Sequence, residues 1–459
     1  MSLSDPSTDP AAATAPPEQA AERVLEHALE LALAAGASAA EVRVDDTESL
    51  SVTVRGGKPD ERAFNHARGI SVTLYRGQRR ATVSSSDLSG RALRALIARG
   101  LEIATITAED ACVGLPARAD VAAPSSADAL DLDHPWDLSL RDAVQLAARI
   151  EAAALAVDPR VPQTEGASVS SARSRHWLAN SDGLALAGRA SRHTLACSPV
   201  AIHDGHKQVD GWWDSRCRAA DLIDPEALGR HAAARALARL GARPVSTRTC
   251  PVLFDPSSAI ALLGEYVSAA SASRLYLHRS FLGDALGEPL FAPHVDIDDD
   301  PFVPRGHASR AWDGSGLATR ACTVVRDGVL DAYFVDLYGS RRLGVALADH
   351  CVGPTNLRIT SRLTRAGDDW PAMLARLGTG LVVCGMTGQG VNPLTGDFSR
   401  AVHGFWVERG EIQHPVAGVT VASSLQAMAR GLVAIGADTL TRGSSSGSWL
   451  IDSMRVGGA

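Results

Sequence analysis

The 459 residues are about three times a typical domain of roughly 150, and 45% hydrophobic content is enough for a buried core, so two or three domains are expected. With 45 basic against 52 acidic side chains the net charge is −7, and no Lys/Arg run is long enough to neutralise a row of phosphates, which argues against nucleic acid and anionic membrane as partners. No stretch approaches the roughly 18 uninterrupted apolar residues of a membrane helix, and the opening residues have neither a basic nor an apolar leader region, so a cytoplasmic protein is expected.

The first residues, rich in Pro, Ala, Ser and Asp, are expected to form a disordered tail over 1–18. From Pro17 the spacing of Val24, Leu25, Ala28, Leu29, Ala32 and Leu33 predicts an amphipathic helix stopped at Gly36. AEVRVDD, SLSVTVRGG and GISVTLYRG alternate as antiparallel strands do, with RGGKPDERAF as the bend. Ser89 is placed to cap a second helix, closing a unit over 19–116.

A Pro/Ala/Asp-rich connector opens a middle unit, 117–246. It is read as a helix stopped by Asp158-Pro159, a hairpin turning at Asn180-Ser181-Asp182-Gly183, and a helix ending at Gly241. The last unit, 247–459, starts with the apolar strand CPVLFDP and a helix for which Asp255 is the cap and Pro256 the first residue. Hairpins are expected at Asp327-Gly328 and Arg409-Gly410. The fold class is therefore α+β, an N-terminal portion of antiparallel strands with flanking helices followed by a largely β C-terminal domain.

The seven cysteines are scattered, with no C-x-x-C pair, and read as reduced thiols. No His-Glu dipeptide occurs, so a helical zinc-peptidase motif is absent. His203-Asp204-Gly205-His206 is read as a solvated polar loop, its imidazoles on opposing sides unless the backbone folds over. Asp296, Asp298, Asp299 and Asp300 lack the central Gly and distal Glu of a calcium loop and read as a solvated linker. Gly443-Ser444-Ser445-Ser446-Gly447 matches a nucleophile elbow in letters only, because it precedes a strand, and reads as a low-complexity loop. Gly388, Gly390 and Gly396 fit neither phosphate-loop spacing and suit close backbone approach. The adjacent Trp212 and Trp213 should send one ring to each face of a strand.

TGQGVNPLTGDFSRAVHGFWVERGEIQHPVAGVTVASSLQAM resembles the C-terminal signature of the TldD/PmbA family, in its TldE (PmbA) branch. The likeness continues through VPQTEGASVSS, LANSDGL, FLGDALGE and RAWDGSGLATR in the family's order. It implies a bacterial heterodimer in which a TldD-like paralogue carries zinc on an H-E-x-x-x-H helix completed by a late cysteine. Its substrates would be unfolded peptides, including peptide-antibiotic precursors and an antitoxin. In this chain Gly264, Glu265 and Ala269 stand in the helix where that motif belongs, and no cysteine follows Cys384. No cofactor is therefore expected here, zinc being expected in the partner. Gly388, Gly390, Asn392, Gly396, Asp397, Phe398, Phe405 and Trp406 are expected to line a shared chamber and hold peptide by strand addition, with catalytic and metal residues absent. Two alternatives stay open: a stand-alone metallopeptidase using His203, His206 or His278, and a peptide-binding module without a protease partner.

Overall fold

The structure, a computed structural model, describes residues 17–124 and 126–458. The tail expected over 1–18 lies outside the described residues, apart from the first two positions of the opening helix. That helix, α1 (Pro17–Ala34), ends as the spacing predicts, with Gly36 N–H donating to Leu33 O and Ala37 N–H to Ala32 O. It buries Leu25, Ala28 and Ala32 but leaves Leu33 largely exposed.

The first sheet is built from β1 (Ala39–Arg55), β2 (Lys58–Arg76) and β3 (Arg79–Ser85), then β4 (Gln163–Asn180), β5 (Ala185–His203), β6 (His206–Val209) and β7 (Trp212–Arg216). Its order is β3-β2-β1-β4-β5-β6, with β7 also pairing β5, and every pair is antiparallel. The units expected at 19–116 and 117–246 thus contribute to one continuous sheet, since β1 pairs with β4 from Glu41↔Asn180 to Val54↔Ala167. The bend between β1 and β2 is tighter than RGGKPDERAF suggests: Gly56 and Gly57 make it, and both donate to the buried carboxylate of Glu151. Helix α2 (Gly90–Ile106) covers one end, its start capped by Ser89 accepting from Ala92 N–H. Helices α3 (Leu140–Leu155) and α4 (Pro225–Ala238) pack Ile150, Ala147, Leu228 and Ala232 on Val52, Val54, Val169 and Leu195.

β8 (Arg248–Phe254) and α5 (Pro256–Ala269) start the C-terminal region. Asp255 caps α5, accepting from Ser258 N–H at 2.7 Å. After α6 (Ala272–Tyr276), the second sheet takes β9 (Val295–Asp300), β10 (Cys322–Arg326) and β11 (Val329–Leu330), with α7 (Leu337–Leu343) and β12 (Asn356–Ser361) following. Helix α8 (Trp370–Leu377) leads to β13 (Gly380–Thr387), β14 (Asp397–Glu408), β15 (Glu411–Ser424), α9 (Leu425–Arg430), β16 (Leu432–Ile435), β17 (Leu440–Arg442), β18 (Ser444–Ser446) and β19 (Trp449–Gly457). The second sheet runs β11-β10-β9-β12-β18-β17 and the third β15-β14-β13-β8-β19-β16, with β15 also meeting β19 so that five strands close on themselves. One large core joins α5 to both sheets through Phe254, Leu262, Tyr266, Phe291, Ile297, Phe398 and Trp449.

Three expectations are corrected. Asp296–Asp300 is not a linker: it lies in β9, where Asp298 accepts from Thr323 Oγ1, Asp296 from Asp327 N–H, and the buried Asp299 from both Thr355 N and Oγ1. Ser444–Ser446 is a strand between β12 and β17, and the buried Ser446 Oγ accepts from Trp449 Nε1 at 2.8 Å. Cys322 and Cys351 are joined as a disulfide although 29 positions apart, whereas Cys112, Cys197, Cys217, Cys250 and Cys384 are free.

Candidate functional site

Helix α5 turns Leu262, Leu263, Tyr266 and Ala269 into the core and leaves Gly264 on its outer surface with nothing within 4 Å of where a Cβ would stand. Glu265, beside it, is bound by Arg400 of β14, whose Nη2 donates to Oε1 at 2.5 Å. Ala269 is buried, its carbonyl accepting from Ser280 Oγ at 2.6 Å. Neither Gly264 nor Ala269 carries a metal donor, and the one carboxylate between them neutralises a guanidinium. The residues present on α5 do not fit a zinc ion.

The glycine-bearing segment forms a hairpin above this helix. Ser399 N–H donates to Gly390 O at 2.7 Å and Asn392 N–H to Asp397 O at 2.9 Å. Gly390 is obligatory here, because a Cβ would stand 1.9 Å from Ser399 O. Asn392 and Asp397 shape the tip, Asn392 Oδ1 accepting from Leu394 N–H and Asp397 Oδ2 from Thr395 Oγ1. The tip is pinned on two sides: Leu425 N–H, at the start of α9, donates to Gly396 O, and Phe281 N–H, in the loop after α6, donates to Pro393 O. Between these three elements lies a cleft of about 790 Å³, lined by Phe281, Leu290 and Leu394 with His278, Glu288 and Arg430. Its volume and mixed lining suit a short peptide segment.

The expected site residues therefore divide. Gly388, Gly390, Asn392, Gly396 and Asp397 all belong to the hairpin or the approach to it. Phe398 is 1% exposed and Trp406 5% exposed, both inside the core. Trp406 stacks under Arg248 and donates from Nε1 to Glu408. Phe405 is half-buried among the residues packed on α8. β14 pairs with β13 on one side and β15 on the other through Gly404, Phe405 and Trp406, so no backbone edge is free there and strand addition at these three residues is excluded. Leu394, Phe281 and Arg430 escaped notice in the sequence because only the fold brings them to one cleft.

Of the histidines of the stand-alone alternative, His203 and His206 lie opposite each other across the two-residue turn closing β5 and β6, because the backbone folds over there rather than leaving them on opposing sides, while His278 is exposed in the loop after α6 and among the described residues no three-donor group contains any of them. Among the described residues, one group of three potential metal donors comes together, Asp46, Glu48 and His66 on the first sheet, and its buried Asp46 is already bonded to His66 at 2.8 Å and faces Arg68. Trp212 and Trp213 are not separated to opposite faces as expected: Trp212 is half-buried and Trp213 exposed, and the guanidinium of Arg442 stacks on both rings at 4.2 and 4.0 Å.

Three family models match in succession: the PmbA/TldA metallopeptidase domain 1 over residues 40–104, the central domain over 133–240 and the C-terminal domain over 247–458. The chain belongs to the PmbA/TldD family. It is 36% identical to the metalloprotease PmbA of Escherichia coli O157:H7, covering 96% of this chain and 97% of that one. It is 35% identical to the metalloprotease PmbA homolog of Haemophilus influenzae, with 96% and 97% covered. The crystal structure of TldE from Thermococcus kodakarensis shares the fold, with a TM-score of 0.80 at 15% identity over 95% of this chain and 100% of that one. Family membership thus fits the mixed α+β architecture, and among the described residues no helix is long and apolar enough to cross a membrane.

Proposed function

We propose that this chain is the non-catalytic, TldE-type subunit of a cytoplasmic heterodimeric zinc peptidase, and that it helps capture unfolded or flexible peptides for a TldD-like paralogue carrying the metal. The observation that carries the reading is α5 itself, where the exposed Gly264 and the buried Ala269 offer no ligand and Glu265 is held by Arg400. The family contains both TldD and TldE types, which is compatible with a paralogous partner. Peptide capture is assigned to the cleft between the 390–399 hairpin, α9 and the loop after α6. Its apolar floor and flanking charges suit an extended segment of little sequence preference. The three family domains are read as the working units of the chain, close to the divisions at 116 and 246.

The test is cleavage of an unstructured peptide by this chain alone, by its H-E-x-x-x-H paralogue alone and by an equimolar mixture, with zinc per chain measured on the same samples. Activity appearing only in the mixture, with zinc on the paralogue, is the expected result. Chelator-sensitive cleavage by this chain alone overturns the proposal.

A further inference from the structure

Three of the residues lining the cleft beside the 390–399 hairpin carry a fixed charge: Asp284 and Glu288 on the loop after α6, and Arg430 at the end of α9. His278 is the only other titratable side chain there. Among the described residues none of these three side chains makes a hydrogen bond or an ion pair, so both signs share one cleft, on different walls, and do not meet. Elsewhere in the C-terminal region such groups find each other, as Arg400 does with Glu265 and Arg362 with Asp327.

Both walls are tied to the core by their backbone. In the loop, Tyr333 Oη donates to Leu282 O at 2.7 Å, and Gly287 N–H and Leu290 N–H donate to Leu330 O and Gly328 O, each at 2.8 Å. In α9, Tyr266 Oη donates to Leu425 O at 2.7 Å, and Ala292 N–H donates to Ala429 O at 3.0 Å. Tyr266 and Tyr333 are both buried, so drawing the walls together would break hydrogen bonds that water cannot replace. The charges are therefore held apart before any ligand arrives, which lowers the cost of binding one that spans them. Such a ligand carries a cation at one end, an anion at the other and a body that rests on Phe281 and Leu290. The cleft, at about 790 Å³, falls among those of roughly 300–1,000 Å³ that enclose small ligands, so its occupant is a few residues long. A short peptide with both ends free has this chemistry whatever its side chains.

We propose that the cleft recognises the two free ends of short peptides, Asp284 and Glu288 holding the terminal ammonium group and Arg430 the terminal carboxylate. This rests on the reading of the cleft as the place of peptide capture, and adds what is recognised there: chain ends rather than a sequence. Small substrates and short cleavage products are then its ligands, and the interior of a long chain is not.

The test is calorimetric titration of the full chain with a tetrapeptide of alanine and leucine in four forms: both ends free, N-acetylated, C-amidated, and capped at both ends. Each cap should weaken binding about five- to tenfold, and the two together about 25- to 100-fold. Arg430→Gln should abolish the effect of the amide and keep that of the acetyl group, while Asp284→Asn combined with Glu288→Gln should do the reverse. All three positions are exposed, so the melting temperature should not move. Equal affinity for the four forms, or an effect of one cap alone, overturns the proposal and leaves peptide capture standing. Binding of none of them overturns both readings. Cap effects that persist unchanged in the variants overturn the assignment to Arg430, Asp284 and Glu288.

Discussion

Arg400 of β14 holds Glu265 of α5 at 2.5 Å, and so ties the strand that follows the 390–399 hairpin to the first helix of the C-terminal region. Both side chains are mostly buried, and Arg400 Nε has no further partner, so the pair is what compensates the guanidinium. Replacing one partner leaves the other charged and partly desolvated.

Glu265→Gln is therefore expected to lower stability by about 1–3 kcal/mol, discounted from a fully buried pair because some solvent reaches both groups. A urea titration measures it. If Glu265 were instead a catalytic base, the same variant would abolish peptide cleavage while leaving the urea midpoint unchanged, which is the outcome that contradicts the structural role.

The hairpin glycines should separate sharply on substitution. Gly390→Ala places a methyl group 1.9 Å from Ser399 O, so the Gly390–Ser399 hydrogen bond must break and the segment open. Gly388→Ala meets open space and suffers only its positive φ of 82°, a cost of about 1 kcal/mol. Limited proteolysis should cut the Gly390 variant within 388–399 several times faster than the parent and the Gly388 variant about as slowly. Equal cutting of the two would mean that the close approach at Gly390 does not hold the hairpin.

Leu394 and Trp406 make a complementary pair of tests for peptide capture. Leu394 is 57% exposed at the cleft, so Leu394→Asp should change stability by no more than about 0.5 kcal/mol. It should weaken peptide binding by about tenfold if an apolar side chain sits there. Trp406→Ala, in the core, should instead cost about 3–5 kcal/mol and reduce activity only through loss of folded protein. Fluorescence titration of a labelled peptide against folded protein tells them apart, and unaltered affinity in the Leu394 variant would remove the cleft from peptide binding.

What the sequence revealed follows the range of the interactions. The Asp255 cap with Pro256 behind it, and the turns at Asn180–Gly183, Asp327-Gly328 and Arg409-Gly410, depend on residues a few positions apart, and all appear where the local chemistry puts them. The Asp296–Asp300 strand was hidden because its carboxylates are satisfied by Thr323, Asp327 and Thr355, none of them near in sequence. The Cys322–Cys351 link and the burial of Phe398 and Trp406 were hidden for the same reason: the partners are set by sheet order, which a single chain's periodicity does not specify. The cleft is the extreme case, since one of its walls, the loop after α6, lies more than a hundred residues before the other two.

Two titrations with opposite signs should mark the pH dependence of stability. Burial, reinforced by Asp313, raises Glu41 from 4.5 to about 7. An acid whose folded pKa lies above its unfolded one stabilises the fold fully below about 4.5, and that contribution disappears as pH rises through 7. Burial, reinforced by Arg239, lowers His403 from 6.5 to about 4. Its contribution is complete above 6.5 and is lost as pH falls towards 4. Urea midpoints measured from pH 4 to pH 8 should therefore show Glu41→Gln matching the parent near pH 4 and exceeding it by pH 8. His403→Gln should diverge from the parent in the other direction, flattening the acid limb. A Glu41→Gln curve parallel to the parent across the whole range would mean that Glu41 ionises in the folded protein as it does in the unfolded chain, and that neither its burial nor the charge of Asp313 bears on it.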